Sequence, residues 1–194
     1  ALFAARKLEV QDRSVFEPLF RFASILLFIW GVLWWLGTGW MEIHDRVPNL
    51  DPSGQPLRNH FALLFLALSV ALAAWLGSAR RWQKLRLATL VYPLLLVPAA
   101  FIYWGAYQHL LSGPGWLGWP LAVLVLVYVL RLLDAYAEAL AGPWHFGSAL
   151  LLTTLVAFEA GWWTERVASD AWGHAIAVSI AGLAALLTRR CSAR

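Results

Sequence analysis

One stretch of the chain decides the fold: residues 87–130 read LATLVYPLLLVPAAFIYWGAYQHLLSGPGWLGWPLAVLVLVYVL and contain no Asp, Glu, Lys or Arg. A helix that crosses the hydrocarbon core of a bilayer needs about 20 consecutive apolar residues, so this stretch is long enough for two. The sequence Ser112-Gly113-Pro114-Gly115 interrupts it, and glycine with proline is the strongest local signal for a turn. The stretch therefore predicts two membrane-spanning helices joined by a short loop.

Similar apolar stretches occupy most of the remaining chain. We predict six transmembrane helices, over residues 20–41, 59–79, 87–108, 117–137, 145–163 and 171–188. They make residues 1–194 a single all-α domain, a polytopic bundle. A membrane β-barrel is excluded because its strands would alternate apolar and polar residues, whereas these runs are apolar on every side. Ala1 is not an initiator methionine, and we expect the chain to be a fragment of a longer multi-pass protein.

The composition excludes other protein classes. The 194 residues are 61% hydrophobic and only 13% charged, with a mean hydropathy of +0.64. A soluble domain carries about 25% charged residues, and a disordered chain is far less hydrophobic. Cys191 is the only cysteine, which excludes a disulfide framework and a cysteine-built metal site. The net charge of +4 fits basic cytoplasmic loops, and nucleic acid is not an expected partner because no basic, aromatic-interleaved surface segment is present.

Lysine and arginine predict the orientation, because loops on the cytoplasmic side of a membrane are enriched in them. With the N-terminus inside, 12 of these residues lie on the inner side and three, Arg46, Arg58 and Arg166, on the outer side. Both termini of the segment are therefore predicted to be cytoplasmic. The inner set is Arg6, Lys7, Arg13, Arg21, Arg80, Arg81, Lys84, Arg86, Arg131, Arg189, Arg190 and Arg194.

Tryptophan is concentrated at the predicted outer ends of the spans, which hold nine of the 13. Tryptophan favours the membrane interface because the ring is apolar and the indole N–H is polar. One interpretation is an ordinary aromatic belt. The other is an outer groove for a sugar, lipid or isoprenoid chain, lined by Trp34, Trp35, Trp104, Trp119, Trp162 and Trp163.

Four segments carry a resemblance to a known family. They are Trp30-Gly31-Val32-Leu33-Trp34-Trp35, the run from Gly115 to Ala122, the run from Arg131 to Glu138, and Phe158-Glu159-Ala160-Gly161-Trp162-Trp163. From Val15 onward the chain resembles the bacterial multi-pass membrane proteins grouped as "domain of unknown function 2339". The resemblance implies a string of hydrophobic helices in a bacterial inner membrane, and it carries no catalytic residue.

Ionisable residues inside a bilayer are costly and are functional candidates by default. Glu159 and His174 each lie about one turn below the outer ends of the fifth and sixth spans. Sequential helices joined by a short loop are antiparallel neighbours, so these two residues are predicted to meet. The pair is either a proton-handling site or a buried hydrogen bond that fixes helix packing.

A second polar set lies at the inner end of the fourth span. Arg131, Asp134 and Glu138 recur at helical spacing and are predicted to form ion pairs along one face. The alternative is that Arg131 extends to the inner interface. Trp144 and His145 begin the next span close by and are predicted to cap the same region.

No motif specifies catalysis or a metal. Neither H-E-x-x-H nor G-x-S-x-G occurs, and His44, His60 and His109 with Glu42 and Asp45 show no ligand spacing. We expect no metal and no cofactor. In the sixth span, Gly173, Ala177 and Ala181 form a small-residue face suited to close helix packing.

Three functions fit these observations. The first is a transport or export component that handles envelope lipid or glycan precursors. The second is a scaffold module of a larger membrane complex. The third is a membrane-embedded enzyme that uses Glu159 and His174 as acid and base. The expected partners are membrane lipids, with other transmembrane subunits or further helices of the parent chain.

Overall fold

The computed structural model describes residues 17–50, 57–106, 109–136 and 138–167, together with the single positions 4, 179 and 182. Within these ranges the chain is helical, which confirms the all-α prediction. The helices are α1 (Glu17–Arg46), α2 (Leu57–Ala79), α3 (Gln83–Thr89), α4 (Tyr92–Ala106), α5 (Gly115–Tyr136) and α6 (Glu138–Val167). The chain divides into two compact units, Ala1–Pro48, which contains α1, and Asn49–Arg194, which contains the other five helices.

Five segments in the described ranges are long and apolar enough to cross a membrane: Leu19–Arg46, Leu57–Ala79, Gln83–Trp104, Gly115–Tyr136 and Ala141–Thr164. They correspond to the first five predicted spans. The sixth predicted span, 171–188, and its small-residue face lie outside the described residues.

The third predicted span is two helices rather than one. Proline has no N–H, and its ring clashes with the carbonyl four residues earlier. For Pro93 that carbonyl belongs to Thr89, and α3 ends at Thr89. Leu90 and Val91 bond back to Leu87 and Ala88 in tighter turns before α4 begins at Tyr92. Pro98 lies inside α4, which continues past it.

Small residues let α2 and α5 approach closely. Ala67 and Ala122 are completely buried, and a Cβ added to Gly118 of α5 would lie 3.5 Å from Leu63 of α2. Such contacts are the usual way in which helices associate when no hydrophobic force drives them together. The hydroxyl of Tyr92 donates a hydrogen bond to the carbonyl of Ala122 over 3.1 Å, which joins α4 to the same pair.

The outward faces of the helices are apolar. Large side chains such as Phe101, Leu124 and Phe146 are each more than 65% exposed. Soluble monomers rarely expose contiguous apolar patches on this scale. These exposed side chains are compatible with helices that are long and apolar enough to cross a membrane.

Candidate functional site

A polar and aromatic cluster lies where α4 ends, α5 begins and α6 passes beside them. Its members, called here the Glu159 cluster, are Trp104, His109, Phe158, Glu159, Trp162 and Trp163. Glu159 and the two tryptophans belong to α6, and His109 belongs to the loop between α4 and α5. The side chains of His109 and Glu159 are only 18% and 16% exposed. The aromatic side chains of the cluster therefore shield the His109–Glu159 pair from solvent.

Glu159 receives hydrogen bonds from two directions. Its Oε2 accepts the backbone N–H of Leu110 over 2.8 Å, and its Oε1 lies 3.2 Å from Nδ1 of His109. The indole N–H of Trp163, one turn further along α6, donates to Oε1 over 3.0 Å. A carboxylate bonded in this way anchors the α4–α5 loop to α6, and hydrogen bonds to charged groups are stronger than neutral ones.

Aromatic rings pack closely around this carboxylate. His109 lies face to face with Trp162, with ring centroids 3.8 Å apart and planes 23° from parallel. The guanidinium of Arg166 covers Trp162 at 4.1 Å, in a cation–π contact. Trp104 lies against Phe158 with centroids 5.6 Å apart. The outer surfaces of Trp104 and Trp163 are 56% and 53% exposed, so the cluster presents ring faces to its surroundings.

A second polar group lies behind the same loop, in the core. His60 of α2 is fully buried, and its Nδ1 is 2.9 Å from the hydroxyl of Tyr103 on α4. Tyr103 packs edge-on against both His60 and Trp119, each with centroids 5.1 Å apart. Gly115, the first residue of α5, has room for no side chain here, because a Cβ would lie 3.0 Å from Cε1 of His60. The α4–α5 loop is thus held between Glu159 and the buried His60.

Replacing Tyr103 with phenylalanine is expected to lower stability by about 1–3 kcal/mol, because His60 loses the hydroxyl from a site without water access. Thermal unfolding in detergent measures this change. Tyr128 of α5, which is 37% exposed, provides the matched control. Equal effects of Tyr103→Phe and Tyr128→Phe would contradict a structural role for the buried hydrogen bond.

The predicted inner polar set is arranged differently from the sequence expectation. Asp134 is bonded to His145, with Oδ1 and Nε2 2.7 Å apart. Arg131 is exposed on the same helix. Because α5 ends at Tyr136 and α6 begins at Glu138, Arg131 and Glu138 do not share one helix, and the predicted three-residue face is interrupted. Asp134 therefore bonds to His145 of α6, whereas helical spacing predicted that its partner would be a residue of α5.

The candidate groove residues occupy three environments. Trp104, Trp162 and Trp163 belong to the Glu159 cluster, whereas Trp119 is 4% exposed and lies in the core. Trp34 and Trp35 belong to α1, in the other compact unit, where both are more than half exposed. His174, the predicted partner of Glu159, lies outside the described residues. Within the described ranges, no group of three or more His, Cys, Asp or Glu side chains is placed to hold a metal ion.

Sequence reasoning identified Glu159 but not its described partners. The sequence shows no ligand spacing around His109, and the Leu110 amide carries no sequence signal at all. The only available signal was the position of His109 three residues before Ser112, where the Ser-Gly-Pro-Gly turn begins, because this places a polar side chain near the ends of two predicted spans.

Comparison with family models, with curated protein sequences and with solved structures finds no match.

Proposed function

We propose that this chain is a multi-pass protein of a bacterial inner membrane that takes part in transport or export of an envelope lipid or glycan precursor. The observation that carries the proposal is the Glu159 cluster, in which exposed tryptophan side chains flank a largely buried histidine–carboxylate pair. Membership of the "domain of unknown function 2339" family is part of the same proposal. It rests on the tryptophan, glycine and proline segments of the sequence, two of which contribute Gly115, Trp162 and Trp163 to this region.

The chemistry of the cluster suits an amphiphile that carries sugar. Aromatic faces accept the C–H face of a sugar ring or an isoprenoid chain, whereas polar edges of the same rings hydrogen-bond. Tryptophan also favours the interface between hydrocarbon and water, where the headgroup of such a molecule lies. Trp104 and Trp163 would contact the ligand, while Glu159 and His109 would hold the surface in shape.

The proposal is tested by reconstitution into liposomes with a fluorescently labelled polyprenyl-linked sugar. Wild-type protein is expected to speed the transfer of the label between leaflets, measured as its loss to a membrane-impermeant reductant. Trp104→Leu is expected to slow this transfer. Trp75→Leu on α2, where the ring is 59% exposed and remote in sequence, is the matched control and should retain it. Transfer no faster than in protein-free liposomes would refute the transport role.

A scaffold role is the second candidate, and one observation favours it. Three donors already occupy the oxygens of Glu159, which makes the residue a fixed anchor. The same occupancy weighs against the third candidate, an enzyme with Glu159 and His174 as acid and base, because an acid–base group must exchange a proton with its substrate. A scaffold would show no transfer in the liposome assay.

The proposed orientation has its own test. If both termini are cytoplasmic, Leu50 lies on the outer side of the membrane and Gln83 lies on the inner side. In a Cys191→Ser background, Leu50→Cys is expected to react with an impermeant thiol reagent added to intact cells, and Gln83→Cys is expected to react only after lysis. Both positions are exposed, so access within the fold is matched. The reverse labelling pattern would invert the topology.

A further inference from the structure

A cleft opens at the opposite end of the second unit from the Glu159 cluster. It lies between the turn that follows α2, the short helix α3 and the last turn of α5, and it has a volume of about 210 Å³. Its polar lining residues are Arg81, Gln83, Arg86 and Tyr136, and its apolar lining includes Leu90 and Leu133. The cleft thus combines two cationic side chains with apolar ones.

The guanidinium of Arg86 is held in a fixed orientation. Its Nε donates to the carbonyl of Gly77 over 2.9 Å, and its Nη2 donates to the carbonyl of Ser78 over 3.1 Å. The same group lies 4.2 Å above the ring of Tyr136. Arginine has five N–H donors, and these two bonds leave others available at the cleft. Because the Arg86 guanidinium is already held in place, an anion that binds in the cleft would not need to order this side chain.

Arg81 occupies a backbone position that glycine normally fills. Its φ is +50°, and α2 ends in a Schellman motif in which Trp82 N–H bonds to Gly77 and Arg81 N–H bonds to Ser78. The left-handed region is unfavourable for residues with a Cβ. Strain of this kind persists where the side chain serves a purpose that glycine would not. Here the side chain at the strained position lines the cleft.

Neither arginine is neutralised by an acid among the side chains that the structure describes. Asp134, which precedes Tyr136 on α5, is bonded to His145. The remaining described carboxylate pairs are Glu42 with Arg46 and Glu159 with His109. The cleft therefore gathers two positive charges without a matching negative charge in these ranges.

We propose that this cleft binds the phosphate of an anionic phospholipid, with the start of an acyl chain along its leucine wall. This inference rests on the membrane insertion proposed above. The ends of α2 and α5 bound two of the apolar spans, so the cleft lies at the depth of lipid headgroups. Sites that enclose a drug-sized molecule measure about 300–1,000 Å³, so a cleft of about 210 Å³ suits one headgroup rather than a whole precursor. Arginine forks recognise phosphate by paired hydrogen bonds.

The test measures thermal unfolding of the full chain in a neutral detergent, with added dioleoylphosphatidylglycerol, dioleoylphosphatidylcholine or inorganic phosphate. Phosphatidylglycerol is expected to raise the Tm of the wild-type protein clearly more than phosphatidylcholine does. Arg81→Gly relieves the backbone strain, so its Tm without lipid should equal or exceed that of the wild type. The rise in Tm that phosphatidylglycerol causes in Arg81→Gly should be less than half of the rise in the wild type.

Arg80→Gln is the matched control, because it removes the same charge one residue away and outside the cleft lining, and it should retain the shift. Equal losses in Arg80→Gln and Arg81→Gly would show only general attraction to anionic lipid and would overturn the site. An equal Tm shift with phosphatidylcholine, or with millimolar inorganic phosphate alone, would overturn the assignment to an anionic lipid. The measurement needs no transport, so a negative liposome assay leaves it standing.

Discussion

Gly115→Ala is expected to destabilise the protein by about 3 kcal/mol, the upper part of the usual range for overpacking a filled site. The added Cβ would overlap the backbone carbonyl oxygen of Leu110 and would lie 3.0 Å from the ring of His60. Neither neighbour is the end of a flexible side chain, because one is backbone and the other is a fully buried ring. The start of α5 must then move away from the α4–α5 loop. For a chain of this length the Tm would fall by about 6–12 °C.

The chain supplies two graded controls for this substitution. A Cβ at Gly118 would lie 3.5 Å from Leu63, an ordinary van der Waals contact, so Gly118→Ala should have a much smaller effect. A Cβ at Gly147 on α6 would meet nothing within 4 Å. Gly147→Ala should instead stabilise the helix by about 0.5–1 kcal/mol, because alanine restricts the unfolded chain. Similar effects of all three substitutions would contradict the close approach at Gly115.

The apolar spans were predictable from the sequence because the absence of charge over about 20 residues is a local property. The second and fourth spans were predicted at 59–79 and 117–137, and the structure has α2 at Leu57–Ala79 and α5 at Gly115–Tyr136. The third span was predicted as one helix over 87–108, and the structure divides it into α3 and α4. Pro93 lies just after this division, and the turns before it tighten at Leu90 and Val91.

The candidate site was less predictable, because its contacts depend on a loop. Glu159 could be singled out by the cost of placing a carboxylate among apolar residues. Its partners follow from the path of residues 109–114, and no periodic pattern encodes that path. His60 shows the same limit, because no sequence pattern around it predicts its burial. The absence of a side chain at Gly115 instead lets α5 close over it, and His60 is fully buried.

The inner polar set depends on a different physical condition. Helical spacing relates Arg131, Asp134 and Glu138 only if one helix contains all three. α5 ends at Tyr136 and α6 begins at Glu138, so Glu138 belongs to a different helix from Arg131 and Asp134. His145 of α6 lies beside Asp134 of α5, so the carboxylate that the spacing paired along its own helix makes a contact between two helices.

Glu159→Ala is the second substitution expected to have a large effect, again about 3 kcal/mol or more. It removes the acceptor for the Leu110 amide and the Trp163 indole and separates His109 from its carboxylate. Each hydrogen bond to a charged group contributes about 1.5–3 kcal/mol, and the contributions of one network do not simply add. Thermal unfolding followed by tryptophan fluorescence measures the loss. It also reports on Trp162 and Trp163, whose surroundings should change with the loop.

Two further variants separate anchoring from a general loss of charge. Glu42 is also a carboxylate, but it is exposed and pairs with Arg46 on its own helix, so Glu42→Ala should change stability by less than about 0.5 kcal/mol. Glu159→Gln keeps one carbonyl oxygen that can accept the Leu110 amide, and it should retain part of the stability that Glu159→Ala loses. If Glu159→Ala were as mild as Glu42→Ala, the carboxylate would not hold the α4–α5 loop. The tryptophan faces of the Glu159 cluster would then have no fixed support, and the proposed binding surface would lose its structural basis.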